Sequence, residues 1–83
     1  METIKNENEI FSTSDLSLTT IISLYFPIDS TEFIDNKKVV FLFQKSPELG
    51  SLIDKYWRGE LSVEPQQFFN QLKVIKTRIH SQI

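Results

Sequence analysis

The apolar positions change their spacing several times along the chain, and each change marks an element. "EIFST" places Ile10 and Phe11 in a short run that predicts a strand over Glu9–Thr13. In "TSDLSLTTIISLYF", Leu18, Ile21, Ile22 and Tyr25 fall at i, i+3, i+4 and i+7, the stripe of a helix. The β-branched run Thr19 to Ile22 pulls toward strand, but the periodicity decides for helix. Thr13 or Ser14 supplies its N-cap, with Asp15 in the first turn, and Pro27 ends it. "IDSTEFIDNKKVVFLFQ" then reads as two strands, Thr31–Ile34 and Lys38–Gln44, about a turn at Asp35-Asn36-Lys37. Asn36 tolerates the positive φ that tight hairpin turns use.

Ser46-Pro47-Glu48 is a helix start: an N-cap serine, a proline whose missing N–H costs nothing there, and an acid at the positive end of the helix dipole. Leu49, Leu52, Ile53 and Tyr56 form its apolar stripe, Trp57 lies beside them, and Gly59 is the C-terminal cap. "ELSV" is an extended link that leaves room for an extra short strand at Leu61–Val63. Glu64-Pro65 starts a last helix with Phe68, Leu72, Ile75 and Ile79 on one face. The expected fold is α+β: a small antiparallel three-stranded sheet with three helices, in the order β-α-β-β-α-α. Residues 1–8 form a polar, flexible N-terminus and residues 9–83 a single domain.

The strand "KVVFLFQ" changes this picture. Val39, Phe41 and Phe43 go to one sheet face and Val40 and Leu42 to the other, so neither face alternates toward water. The helices are expected mainly on the aromatic face. The Val40/Leu42 face is then covered by the first helix or left for a partner. Exposed rings on such a strand would suit base stacking, but RNA-reading sheets need glycines and basic residues around the rings, and this strand has no glycine.

Composition bounds the functions. Hydrophobic residues at 40% and charged residues at 24% are globular proportions, which argues against disorder of the whole chain. At 83 residues a deep catalytic cleft would take a large share of the volume. With 0 cysteines there is no disulfide framework, thiolate metal site or cysteine nucleophile. The opening residues lack the basic-then-apolar pattern of a secretory signal, and no run approaches the ~18 apolar residues of a spanning helix. A cytoplasmic protein is the expectation. The net charge of −2 argues mildly against a general nucleic-acid binder while leaving room for a local basic patch.

Candidate chemistry is sparse. His80, the 1 histidine, stands without a nucleophile or orienting acid in any recognisable motif. Asp29, Glu32 and Asp35 lack the spacing and glycine of a calcium loop, and Gly50 and Gly59 cannot build a phosphate-cradling loop. No cofactor, metal or small-molecule substrate is expected. Two binding surfaces remain. Trp57 and Arg58, with the Val40/Leu42 strip, have the composition of a protein interface, although Trp57 is also placed to close the core against the last helix. Lys73, Lys76 and His80 share one face of the last helix, with Arg78 to the side. Lys55 and Arg58 join them if the last two helices pack side by side, which would make a phosphate-contacting patch.

These residues resemble an uncharacterised family of small domains from bacteria, archaea and their phages. The pattern runs Phe11, Thr13-Ser14-Asp15-Leu16, then Phe41 and Phe43, then Tyr56 and Gly59, then Pro65, Phe68 and Leu72, and spans roughly Phe11 to Ile79. It consists of caps and core residues, so it specifies a fold and carries over no activity, cofactor or site. The resemblance implies at most a phage or mobile-element setting for a small accessory protein. The expected function is a non-enzymatic protein-interaction module, its partner a second copy or another protein. The alternative is a nucleic-acid-associated protein using Lys55, Arg58, Lys73, Lys76, Arg78 and His80.

Overall fold

In the computed structural model, which describes residues 9–35 and 38–81, the chain runs β1 (Ile10–Thr13), α1 (Leu16–Ser23), β2 (Ser30–Phe33), β3 (Val39–Gln44), α2 (Pro47–Trp57) and α3 (Pro65–Ser81). The order β-α-β-β-α-α and the α+β class are as the periodicities predict. Asn36 and Lys37 of the expected turn, and the N-terminal residues 1–8, lie outside the described residues. Leu61–Val63 forms no strand: the link is irregular there.

The sheet is antiparallel, in the order β1-β3-β2, with the apolar β3 in the middle. Phe11 pairs with Phe43 and Thr13 with Phe41 on one side of β3; Thr31 pairs with Phe41 and Phe33 with Val39 on the other. Paired residues point to the same face, so Phe11, Thr13, Thr31, Phe33, Val39, Phe41 and Phe43 share one face. Ile10, Ser12, Ser30, Glu32, Val40, Leu42 and Gln44 share the opposite one.

The core lies on the phenylalanine face alone. Phe41 and Phe43 are at most 1% exposed and cluster with Leu18 and Ile22 of α1, Leu49 of α2 and Ile75 of α3. Each such side chain removed from water contributes about 1.5–3 kcal/mol. All three helices therefore stand on one side of the sheet, giving two layers. Val40 and Leu42 lie outside the cluster, so the first helix does not cover them as expected.

α1 is the middle helix. It packs against both α2 and α3, and its residues Leu18 to Ile22 are all buried, which a helix achieves only when it is surrounded. This burial lets a β-branched run stay helical. Thr20 Oγ1 also donates to the Leu16 carbonyl at 2.8 Å, which satisfies one hydroxyl inside the layer. The cap is Asp15, whose carboxylate accepts from Leu18 N at 3.1 Å, rather than Thr13 or Ser14. Thr13 instead accepts the Asp15 N–H at 3.0 Å. The helix stops at Ser23, so Tyr25 leaves the apolar stripe and is 56% exposed.

α2 follows its sequence closely. Ser46 Oγ accepts from Leu49 N at 3.0 Å, Pro47 opens the helix, and Gly59 adopts φ +72° after the last turn. α3 is tied to α1 by Gln71 Nε2, which donates to Ser23 Oγ at 2.9 Å. Ser23 ends α1 and Gln71 lies in the first half of α3, while Ile79 near the α3 C-terminus lines one cleft with Leu16 at the start of α1. Tyr56 at the end of α2 feels the charge of Asp15 at the start of α1. Both outer helices thus run antiparallel to α1.

Candidate functional site

Trp57 is the last residue of α2, one step round the helix from Tyr56. Tyr56 turns in against the core, and Trp57 meets its ring edge-on, with centroids 5.0 Å apart and planes at 80°. Trp57 itself is 66% exposed, so it does not close the core against α3. Burial pushes the Tyr56 hydroxyl pKa up, and the neighbouring Asp15 carboxylate adds to the shift. Tyr56 is therefore a neutral, part-buried platform beneath an exposed indole.

Arg58 follows as the C-cap of α2, and its Nε lies 3.5 Å from Glu60 Oε1. Both side chains are well exposed, so the pair adds little stability and is screened by salt. Arg58 is held near Trp57 while its guanidinium stays accessible.

Val40 and Leu42 stand half-buried on the helix-free sheet face. Half-buried Ile10 shares that face, and exposed Ser12, Ser30, Glu32 and Gln44 surround the strip. Gln44 Nε2 donates to Asp29 Oδ1 at 2.9 Å at one end of it. An apolar centre with a polar rim is how contact surfaces are composed. Phe41 and Phe43, buried on the other face, are out of reach of bases.

The basic residues are divided. Lys73, Lys76, Arg78 and His80 are exposed on α3, whereas Lys55 and Arg58 belong to the end of α2. α1 packs between the two helices, so they do not lie side by side as a single basic face requires. Among the described residues no group of acids and histidine is arranged to hold a metal ion, and no helix is long and apolar enough to cross a membrane.

The structure also shows a surface that the sequence reading missed. Between β1 and α2 lies an open groove of about 520 Å³, with apolar walls from Phe11, Pro47, Leu49 and Ile53. Gly50 lies among them, with Lys45 and Asp54 also lining the groove. A glycine inside a helix costs about 0.5–1 kcal/mol relative to alanine. A Cβ at Gly50 would meet nothing within 4 Å, so packing within the chain gives no reason for it. That mid-helix glycine was the signal available in the sequence.

The chain belongs to the family DUF5659, a domain of unknown function, which matches residues 8–81. The DUF5659 match covers every described element, and the resemblance to an uncharacterised small-domain family holds. No curated protein and no solved structure matches the chain.

Proposed function

We propose that this DUF5659 domain is a non-enzymatic protein-interaction module. Its contact surface comprises Trp57 and Arg58 at the end of α2 and the Val40/Leu42 strip on the helix-free sheet face. The observation that carries this reading is Trp57, which presents two-thirds of its surface to solvent on a supported, nearly perpendicular ring pair. Tryptophan and arginine are among the side chains most enriched at the anchoring positions of protein contacts. Tryptophan buries much area for few frozen torsions, and the planar fork of donors on arginine fixes orientation. The mechanism is burial of the indole and the aliphatic strip, with Arg58 orienting the partner. A setting in the cytoplasm and an accessory role in a phage or mobile element belong to the same proposal.

Affinity capture compared between the wild-type chain and Trp57→Ala and Leu42→Lys variants tests it. Proteins, the chain itself included, that are retained by the wild type and lost with either folded variant support the reading. Retention unaffected by both variants contradicts it.

A second reading, nucleic-acid association, is favoured by one observation: Lys73, Lys76, Arg78 and His80 are all exposed along α3. It requires affinity that falls steeply as salt rises, because phosphate contacts release counterions.

A further inference from the structure

We infer that the β1–α2 groove is a self-association surface, and that two copies join edge to edge through β1 into a six-stranded sheet. This rests on the interaction-module reading and names its first partner as a second copy of the chain.

Among the described residues, the hydrogen-bond pattern leaves β1 an unpaired edge at defined residues. Lys45 N donates to the Glu9 carbonyl at 2.8 Å, so residues 9 and 45 form a bonded pair of the β1–β3 ladder. Bonded and non-bonded pairs alternate in an antiparallel ladder, which makes Phe11–Phe43 and Thr13–Phe41 the next bonded pairs. The main-chain groups of Ile10 and Ser12 therefore point away from β3. In a twofold antiparallel pairing, Ile10 of one copy exchanges bonds with Ser12 of the other, and Phe11 faces Phe11 across the axis. Aromatic residues directly opposite one another favour strand pairing.

The other free edge is unsuited to this. Ile34 N donates to the Lys38 carbonyl at 2.9 Å, which by the same alternation turns Thr31 and Phe33 of β2 outward. Pairing two β2 strands through them would place Glu32 against Glu32, and like charges directly opposite repel. β1, "IFST", carries no charge.

The groove beside β1 is complementary to itself in charge. α2 runs back along β3 and hence parallel to β1, so two antiparallel β1 strands bring two α2 helices together antiparallel. Lys45 lies level with Glu9, two strand residues or about 7 Å to one side of Phe11. Asp54 lies four helical residues or about 6 Å beyond Gly50 in the other direction. With the axis passing Phe11 and Gly50, each Lys45 meets the Asp54 of the second copy. Neither residue has an ion pair among the described residues. Gly50 then has its reason: with open space above it, it lets the two helix backbones approach. Trp57 continues the same helical stripe, at i+7 from Gly50, and reaches over the second copy.

The test combines sedimentation with disulfide trapping, which the absence of native cysteines allows. The wild-type chain is expected to reach twice its 9.7 kDa mass as concentration rises. Gly50→Arg fills open space in the isolated chain, and Ser12→Pro removes an N–H that β3 does not use, so both variants should fold. Each is expected to weaken self-association at least about ten-fold. Gly50→Cys is expected to oxidise to a linked dimer, and Asn70→Cys on exposed α3 to stay single. A wild type that remains monomeric at every concentration overturns the dimer and leaves the wider interaction reading to the Trp57→Ala capture comparison. Dimers that survive both Gly50→Arg and Ser12→Pro overturn it equally.

Discussion

Trp57 stands edge-on to Tyr56 at 5.0 Å, the tyrosine turned into the core and the indole out into solvent. Adjacent residues at a helix end thus divide between fold and surface. Trp57→Ala should cost no more than the aromatic pair, about 0.5–1.5 kcal/mol, and leave the circular dichroism unchanged. Association with a partner should weaken far more than the thermal midpoint moves. A Trp57→Ala chain that unfolds would return the indole to the core.

The one-sided core makes neighbouring residues of β3 unequal. Phe43→Ala should lose about 3–5 kcal/mol, because it opens a cavity among Leu18, Ile22 and Leu49. Leu42→Ser, one residue away on the helix-free face, should lose less, about 1–2 kcal/mol, since it lies outside the buried cluster and part of its surface is already in water. Urea denaturation of the two variants checks the contrast. Equal losses would mean that the second face is also packed.

Thr19 Oγ1 is buried in α1 with no hydrogen-bond partner among the described residues. Thr19→Val keeps the shape and removes the unpaired hydroxyl, so it should stabilise by about 1 kcal/mol. For a domain of this size that raises the thermal midpoint by about 4–8 °C. Calorimetry of the variant reads this directly, and a lowered midpoint would show that the hydroxyl is satisfied in solution.

Tyr56 gives the fold an alkaline limit. Its hydroxyl pKa is raised above 10.0 by burial and by Asp15, so the folded chain holds this proton more tightly than the unfolded chain does. The stabilisation is complete below pH 10 and is lost as pH rises through the folded value. The wild-type midpoint should therefore fall faster above pH 10 than that of Tyr56→Phe. Parallel profiles would remove Tyr56 from the alkaline transition.

Most of the fold was legible because local chemistry and packing agree. α2 is the clearest case: Ser46, Pro47 and Gly59 each do at its ends what their residue types favour. α1 was harder at both ends. Thr13, Ser14 and Asp15 all suit an N-cap, and only the approach of Leu18 N selects Asp15. Tyr25 fits the helical period, but the chain has already turned after Ser23, with Leu24 N donating to the Ile21 carbonyl at 3.2 Å. The placement of α1 between α2 and α3 is a long-range outcome that no spacing encodes, and it is what separates Lys55 and Arg58 from the α3 cations. The groove was invisible for the same reason, since Phe11 and Gly50 come to line one groove only after β1 pairs with β3. Gly50 alone marked it, as a glycine where a helix former would serve the isolated chain better.

The most direct measurement is light scattering on a size-exclusion column across a concentration series, with and without a short mixed-sequence nucleic acid at low salt. A domain that works by protein contact through Trp57 and the β1–α2 surface should form a concentration-dependent dimer whose elution ignores the nucleic acid. A monomer at every concentration that co-elutes with nucleic acid, and releases it as salt rises, would contradict that account and move the function to the basic face of α3.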